Sequence, residues 1–363
     1  MRILVAPDSF KGSASAGRVA AALRDGWLSV RAADEVVLAP MADGGEGTLD
    51  AFATSVPGAR RIPLEVEGPD GRRVRCSWLL LPDGTGVVEL AAASGLPLMH
   101  RPAPFRASTL GFGQAIAAAL DHGVDRLLLA LGGSAGTDGG TGLLTALGAR
   151  FLNAAGRPVP LGNAGLAVLD RIDLGGLRPM PPGGVTVLGD VDAPLLGPTG
   201  AAAVFGPQKG ARPADVPVLE AGLERLAGLA GGDAAEPGTG AAGGSGFGLR
   251  LWGATMSSGA SAVGDAVGLP QLVSGADAVL TGEGRYDEQS AAGKVPSYVL
   301  ALARRSGTPA LLVAGSITTG IEDFAAAASL ADVAGSVAAA LQDPARWLHR
   351  AAAEVARRYP TAP

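Results

Sequence analysis

"ADAVLTGEGRYDEQSAAGK" (residues 276–294) decides how this chain is put together. Its first five residues suit a short buried strand, which runs at once into a glycine-rich stretch carrying Glu283, Arg285, Asp287 and Lys294. Residues 296–305 then read as a helix, "ALLVAG" (310–315) as a strand, 322–330 as a helix and 344–358 as a final helix. The start of the chain has the same rhythm. Residues 2–7 read as a buried strand ending at Asp8, and Ser13 or Ser15 can cap a helix with Val19, Leu23 and Trp27 on one face. "EVVLAP" (35–40) is a second strand, followed by "MADGGEGT" (41–48) and a short helix. Strands alternating with helices imply parallel pairing. The two chain ends are therefore expected to build one parallel-sheet domain (1–60 plus 273–363), with 61–272 inserted into it.

The inserted stretch has a different texture. Between Arg61 and Leu90, β-type segments are separated by "GPDG" (68–71) and "LPDGTG" (81–86), turn signals at the spacing of an antiparallel meander. A helix near 109–121, the strand "RLLLAL" (126–131) and "GGSAGTDGG" (132–140) follow, then a helix 141–147 stopped by Gly148. "VTVLG" (185–189) is a strand leading into "DVDAP" (190–194); 213–230 reads as a helix and 231–248 as a Gly/Ala-rich loop. The expected class is α/β, with a mixed α/β domain in the middle.

Composition removes several function classes. The chain has 363 residues, 47% apolar and 17% charged, with a net charge of −5 spread without long runs of one sign. That leaves no footprint for nucleic acid and no membrane-attracting face. No apolar run is long enough to span a bilayer, and the N-terminus lacks a signal-peptide core, so a cytoplasmic location is expected. Cys76 is the only cysteine, which rules out an intrachain disulfide and a thiolate cluster. The three histidines share no metal-ligand spacing. Of 29 basic residues only Lys11, Lys209 and Lys294 are lysines, each beside glycine. In so arginine-biased a chain, a retained lysine points to a need for a compact ammonium, as at a phosphate.

The polar clusters fall just after apolar strands, where open α/β sheets bind ligands. Asp8 and Lys11 follow the first strand; Asp43 and Glu46 follow the second. Gly132, Gly133, Ser134 and Asp138 lie in a loop whose backbone N–H groups suit an anion. Asp190 and Asp192 offer carboxylates to Mg²⁺ or to a hydroxyl proton. Arg285 can grip a carboxylate or phosphate, with Glu283 and Asp287 orienting it or holding metal. There is no G-x-x-x-x-G-K-[ST] phosphate loop. "GTGAAG" (238–243) follows a helix rather than a strand, so it is not a dinucleotide fingerprint.

"APDSFKGSASA" (6–16), "MADGGEGT" (41–48), "GGSAGTDGG" (132–140), "FGPQKGA" (205–211) and "TGEGRYDEQSAAGKVP" (281–296) stand in the order found in the bacterial glycerate kinase family without a P-loop, which the chain closely resembles. "AAASGL" (91–96) and "GTGAAGGSGFGL" (238–249) are also similar to family segments. Gly136-Thr137 stands where family members carry Thr-Asn. The resemblance implies an enzyme that phosphorylates D-glycerate with ATP and Mg²⁺, 2-phosphoglycerate being the favoured product. It further implies two α/β domains, one of flavodoxin-like topology, and in-line transfer in a cleft between them. On that reading Asp190 is the base or a metal ligand with Asp192 second, and Asp43 and Glu46 are reserve metal ligands. Lys209 and Lys294 neutralise phosphate oxygens cradled by Gly132–Ser134, and Arg285 holds the substrate carboxylate. Asp8, Lys11, Asp138, Glu283 and Asp287 complete the binding residues. The open alternatives are a non-catalytic sensor of a small phosphorylated acid and a kinase of another hydroxy acid. No nucleic-acid or membrane partner is expected, and a homodimer stays open.

Overall fold

The computed structural model describes residues 1–288, 290 and 294–360, so positions 289 and 291–293 of the decisive stretch and the last three residues lie outside the description. Thirteen strands follow in chain order among the described residues. They are β1 (Arg2–Val5), β2 (Glu35–Leu38), β3 (Arg60–Glu67), β4 (Arg73–Leu80), β5 (Thr85–Glu89), β6 (Arg126–Ala130) and β7 (Arg150–Leu152). Then come β8 (Arg171–Asp173), β9 (Val185–Leu188), β10 (Thr255–Ser257), β11 (Ala278–Glu283), β12 (Ala310–Ala314) and β13 (Ala326–Ser329). The chain divides into two compact units. The first comprises 1–43, 50–57 and 258–363; the second comprises 44–49 and 58–257.

The first unit carries a five-stranded sheet in the order β13-β12-β11-β1-β2, with all four pairings parallel. Counted along the chain within this sheet, the order is 2-1-3-4-5, the flavodoxin-type arrangement. β11 lies at its centre and every residue from Ala278 to Glu283 is buried, as a parallel strand covered on both faces requires. Chain start and chain end meet in this core, where Ile3, Val5, Val19, Leu23 and Trp27 share a cluster with Leu280, Val313, Leu348, Ala352 and Val355. The helices Ala16–Leu28 and Pro344–Arg358 pack closely because Gly26 has no side chain. A Cβ there would lie 2.2 Å from the His349 carbonyl oxygen.

The second unit carries a mixed six-stranded sheet, β10-β9-β6-β5-β4-β3. β3, β4 and β5 form the expected antiparallel meander, and β5, β6, β9 and β10 run parallel. Its core gathers Trp78, Val88, Phe112, Ile116, Leu127, Leu129, Leu143, Val187, Leu223 and Phe247.

The α/β class and the parallel sheet drawn from both chain ends hold. Several local expectations do not. Residues 322–330 are not a helix. The alanines of Ala326–Ser329 pair in parallel with β12, and a helix begins only at Leu330, capped by Ser329. Alanine is the best helix former, but tertiary pairing outweighs that propensity. The expected loop 231–248 contains the start of the helix Ala241–Trp252. The strand expected at 276–280 starts at Ala278 and runs into the polar motif as far as Glu283. Ser15 stands at the N-cap position without a side-chain cap bond, while the Ser13 hydroxyl donates to the Phe10 carbonyl (2.9 Å).

Candidate active site

In the first unit the loops after β1 and β11 leave the sheet side by side. The strand order reverses at this point, with β2 on one flank of β1 and β11 on the other, which makes it the switch point where open sheets bind ligands. A pocket of about 290 Å³ opens there. Its lining includes the polar residues Asp8, Lys11, Glu283, Arg285, Lys294 and Ser316 and the apolar residues Phe10, Leu330, Val337, Leu341 and Pro344.

The charges in this lining are unequally exposed. Asp8 is buried and accepts from the Ser9 N–H (2.6 Å). Burial, reinforced by Asp43, pushes its carboxyl up to about 8 against the pull of Lys11. Lys11 Nζ donates to Asp43 Oδ2 at 2.7 Å. Burial alone would lower the Lys11 ammonium, but Asp43, Asp8 and Glu283 together hold it above the ordinary lysine value. Glu283 is 5% exposed, and its Oε1 has no hydrogen-bond partner among the described residues. Burial pushes Glu283 up to about 7, opposed by a bond from Ser290 and by Lys294 and Lys11. A buried, unsatisfied oxygen costs desolvation free energy that a donor from a ligand would restore. Arg285 Nε lies 3.2 Å from Asp287 Oδ2, and Ser290 bonds both the Arg285 carbonyl (3.0 Å) and Asp287 Oδ1 (3.2 Å), which shapes this turn. The bond from the Ser290 backbone N–H, helped by the Ser290 hydroxyl, Lys294 and Arg285 and opposed by desolvation, keeps Asp287 below the usual carboxylate range.

In the second unit the loops after β6 and β9 run beside the segment 44–49. A Cβ on Gly132 would lie 2.4 Å from Gly45 Cα, and one on Gly44 would lie 2.6 Å from the Leu188 carbonyl carbon. Only glycine allows backbones this close. Gly133, Glu46, Asp190 and Asp192 are exposed at this end of the sheet. Behind them Lys209 is 1% exposed, and its Nζ donates to Ser134 Oγ (2.7 Å) and the Gly136 carbonyl (2.5 Å). Burial pushes that ammonium down to about 7, with Asp138 pulling the other way. Asp138 is fully buried and accepts from Thr109 N (2.9 Å), Thr109 Oγ1 (2.9 Å), Gly140 N (3.0 Å) and Gly142 N (3.2 Å).

The sequence-predicted residues thus fall into two sets. Asp8, Lys11, Asp43, Glu283, Arg285, Asp287 and Lys294 gather in the first unit; Glu46, Gly132, Gly133, Ser134, Asp138, Asp190, Asp192 and Lys209 belong to the second. Asp138 has its oxygens occupied by donors of its own unit, and Lys209 donates to Ser134 and Gly136, so both are tied into the glycine-rich loop. Sequence reasoning also missed Glu89, a buried acid whose carboxylate accepts from Gly47 N (3.2 Å) and Leu49 N (3.0 Å) and so fixes the "GGEGT" segment. A single acid ending the apolar strand β5 was its only signal. Val337 and Leu341, in the lining of the pocket, were missed as well.

Among the described residues no three His, Cys, Asp or Glu side chains are grouped to hold a metal ion, and no helix is long and apolar enough to cross a membrane. A model of the glycerate kinase family matches residues 3–360. A glycerate kinase of Halalkalibacterium halodurans is 41% identical over 88% of this chain and 87% of its own length. The glycerate 2-kinase of Escherichia coli K12 is 40% identical over 88% and 86%. A crystal structure provisionally described as glycerate kinase 2 from Salmonella typhimurium LT2 superposes with a TM-score of 0.83 at 37% identity, covering 98% of this chain and 97% of that one. Relatives named as kinases at this identity set aside the non-catalytic sensor. The chain belongs to the glycerate kinase family of enzymes.

Proposed function

We propose that this chain transfers the γ-phosphoryl group of ATP to D-glycerate, with the 2-hydroxyl as the favoured acceptor. The observation that carries the reading is Glu283 Oε1, a buried oxygen without a partner among the described residues, in a pocket lined by Lys11, Arg285 and Lys294. The name of the Escherichia coli relative supports the 2-position.

Phosphoryl transfer asks the protein for in-line positioning, neutralised charge and a group near the attacking hydroxyl. Arg285 takes the glycerate carboxylate, and Lys11 and Lys294 meet phosphate oxygens. The acceptor hydroxyl donates to Glu283. Its oxygen forms the new bond to phosphorus as the bond to the bridging oxygen of ADP breaks, and its proton passes to the Glu283 carboxylate. A base with a pKa of about 7 is half-ionised at neutrality, so turnover rises with pH through that value. Gly132–Ser134 offers backbone N–H groups to an anion, with Lys209 and Asp138 keeping that loop in shape. Mg²⁺ takes one or two carboxylates and completes its shell with phosphate oxygens and water. Asp190 is the proposed ligand, with Asp192, Asp43 and Glu46 in reserve. When bound, Mg²⁺ neutralises the charge that develops on the phosphate oxygens.

A coupled ADP-release assay against D-glycerate, L-glycerate, lactate and tartronate tests the reading. D-glycerate should be preferred, and ³¹P NMR should show 2-phosphoglycerate. A preference for lactate or tartronate would install the alternative of another hydroxy-acid kinase.

A further inference from the structure

Holding a loop in shape does not require a lysine with the surroundings of Lys209. The side chain is buried, yet it makes no ion pair among the described residues. Asp138, the one acid that acts on it, is already held by Thr109, Gly140 and Gly142. Nζ meets two acceptors, Ser134 Oγ at 2.7 Å and the Gly136 carbonyl oxygen at 2.5 Å. Gly243 closes over it, since a Cβ there would lie 2.7 Å from Nζ. A buried ammonium with three N–H groups, two acceptors and no carboxylate is costly. A neutral amine fits the same contacts, accepting the Ser134 O–H and donating to the Gly136 carbonyl. Burial moves Lys209 in that direction, to about 7. An arginine could not shed its proton there, which is a physical reason for lysine in so arginine-biased a chain.

We propose that Ser134 and Lys209 form a serine–lysine dyad in which Ser134 Oγ is a nucleophile toward activated esters. This second activity needs neither ATP nor glycerate. Lys209 Nζ takes the Ser134 hydroxyl proton as Oγ bonds to the ester carbonyl carbon. The carbonyl oxygen takes up the electron pair and returns it as the bond to the leaving oxygen breaks, and the Lys209 proton passes to that oxygen. Water then cleaves the acyl group from Oγ, giving one proton to Lys209, which restores the Ser134 hydroxyl. The backbone supplies a donor for the oxyanion. Leu96 N donates to the Gly133 carbonyl (2.9 Å) and Ala135 N to the Ser94 carbonyl (3.1 Å). The Ser134 N–H between them therefore points the other way, without an acceptor among the described residues. Ser134 is 6% exposed and follows exposed Gly133, which points to a small acyl group.

The probe is p-nitrophenyl acetate, applied without nucleotide and quenched in acid. Peptide mass spectrometry should place one acetyl group per chain on Ser134. The acetylation rate should rise with pH through about 7 and then level off as Lys209 becomes neutral. Ser134→Ala should abolish the burst of p-nitrophenolate. Lys209→Arg keeps a cation but no base, and should slow acetylation of Ser134 about 10²-fold or more. If Lys209→Arg does not fold, the wild-type map and pH profile decide. Acetyl groups only on Lys11, Lys294 or the N-terminal amine overturn the dyad. So does a Ser134 rate that climbs with hydroxide and never levels, or a folded Lys209→Arg protein acetylated as fast as wild type.

Discussion

Lys11 and Lys209 each precede a glycine in a polar loop, but the two units use them in opposite ways. Lys11 has a side chain 59% exposed and shares a pocket with Asp8 and Glu283. Lys209 is 1% exposed and is consumed by two acceptors of its own unit. The first unit thus leaves Asp8, Lys11, Glu283, Arg285 and Lys294 lining a pocket, with Glu283 Oε1 unsatisfied among the described residues. The second spends a buried lysine and a buried aspartate on holding a glycine-rich backbone in one shape. The difference teaches that an ammonium beside glycine marks a loop worth attention, while burial decides whether the charge faces a pocket or is spent on its own unit's backbone.

The contrast can be broken at Glu283. Glu283→Gln should keep the fold and lower kcat about 10²–10⁴-fold, and the rising limb of the kcat–pH profile near 7 should vanish. Near-normal turnover would remove the first unit from the chemistry. The paired lysines sharpen it next. Lys294→Met should lower kcat about 10²–10³-fold with denaturant stability unchanged, as expected for a lost contact to developing charge. Lys209→Met strands Ser134 Oγ and the Gly136 carbonyl, so it should cost about 1–3 kcal/mol of stability by urea unfolding. A stable Lys209→Met protein with the kinetics of Lys294→Met would erase the distinction.

A smaller effect concerns Asp8. Its folded-state value, about 8, lies far above the ordinary 3.8, so the fold favours the protonated form. The associated stability is complete below the ordinary value and is lost as pH rises through about 8. Wild type should melt lower at pH 9 than at pH 6, and Asp8→Asn should flatten that slope, the two differing by roughly 2–4 °C at the alkaline end. Parallel melting curves would mean that Asp8 is not held as argued. The smallest effect belongs to the second unit's backbone. Ala242 has φ +53°, the one positive-φ residue besides glycine among the described residues, and starts a left-handed run through Gly243 and Gly244. Ala242→Gly should raise stability by up to about 1 kcal/mol, relief of the left-handed strain exceeding the added unfolded-chain entropy. A loss of stability would show that the methyl group matters more than the strain.

That left-handed run shows where sequence reading fails. Residues 241–248 look like loop because glycine disfavours helix. The glycines are there for contact instead. A Cβ on Gly246 would lie 2.1 Å from the Gly238 carbonyl oxygen, and one on Gly244 would lie 2.8 Å from Gly139 Cα. Packing against the 136–140 loop overrides propensity, and no local pattern reports it. β13 was hidden for a related reason, since four residues of alanine and serine show no period until β12 supplies a partner. The buried strands β1, β6, β9 and β11 were legible because parallel strands covered on both faces must be continuously apolar.

By itself the sequence determined the α/β class, the return of the chain's end to the sheet of its beginning, and the loops in which polar groups could meet. Those follow from local hydrophobic pattern and from strand–loop order, which are properties of neighbours along the chain. Which of those polar groups line a pocket and which are spent on the fold was decided only in three dimensions. Burial, desolvation and hydrogen-bond partners come from residues far apart in sequence, such as Ser134 for Lys209 and Asp43 for Lys11. A side chain's charge state and reach are set by what surrounds it, and the surroundings exist only after the chain has folded.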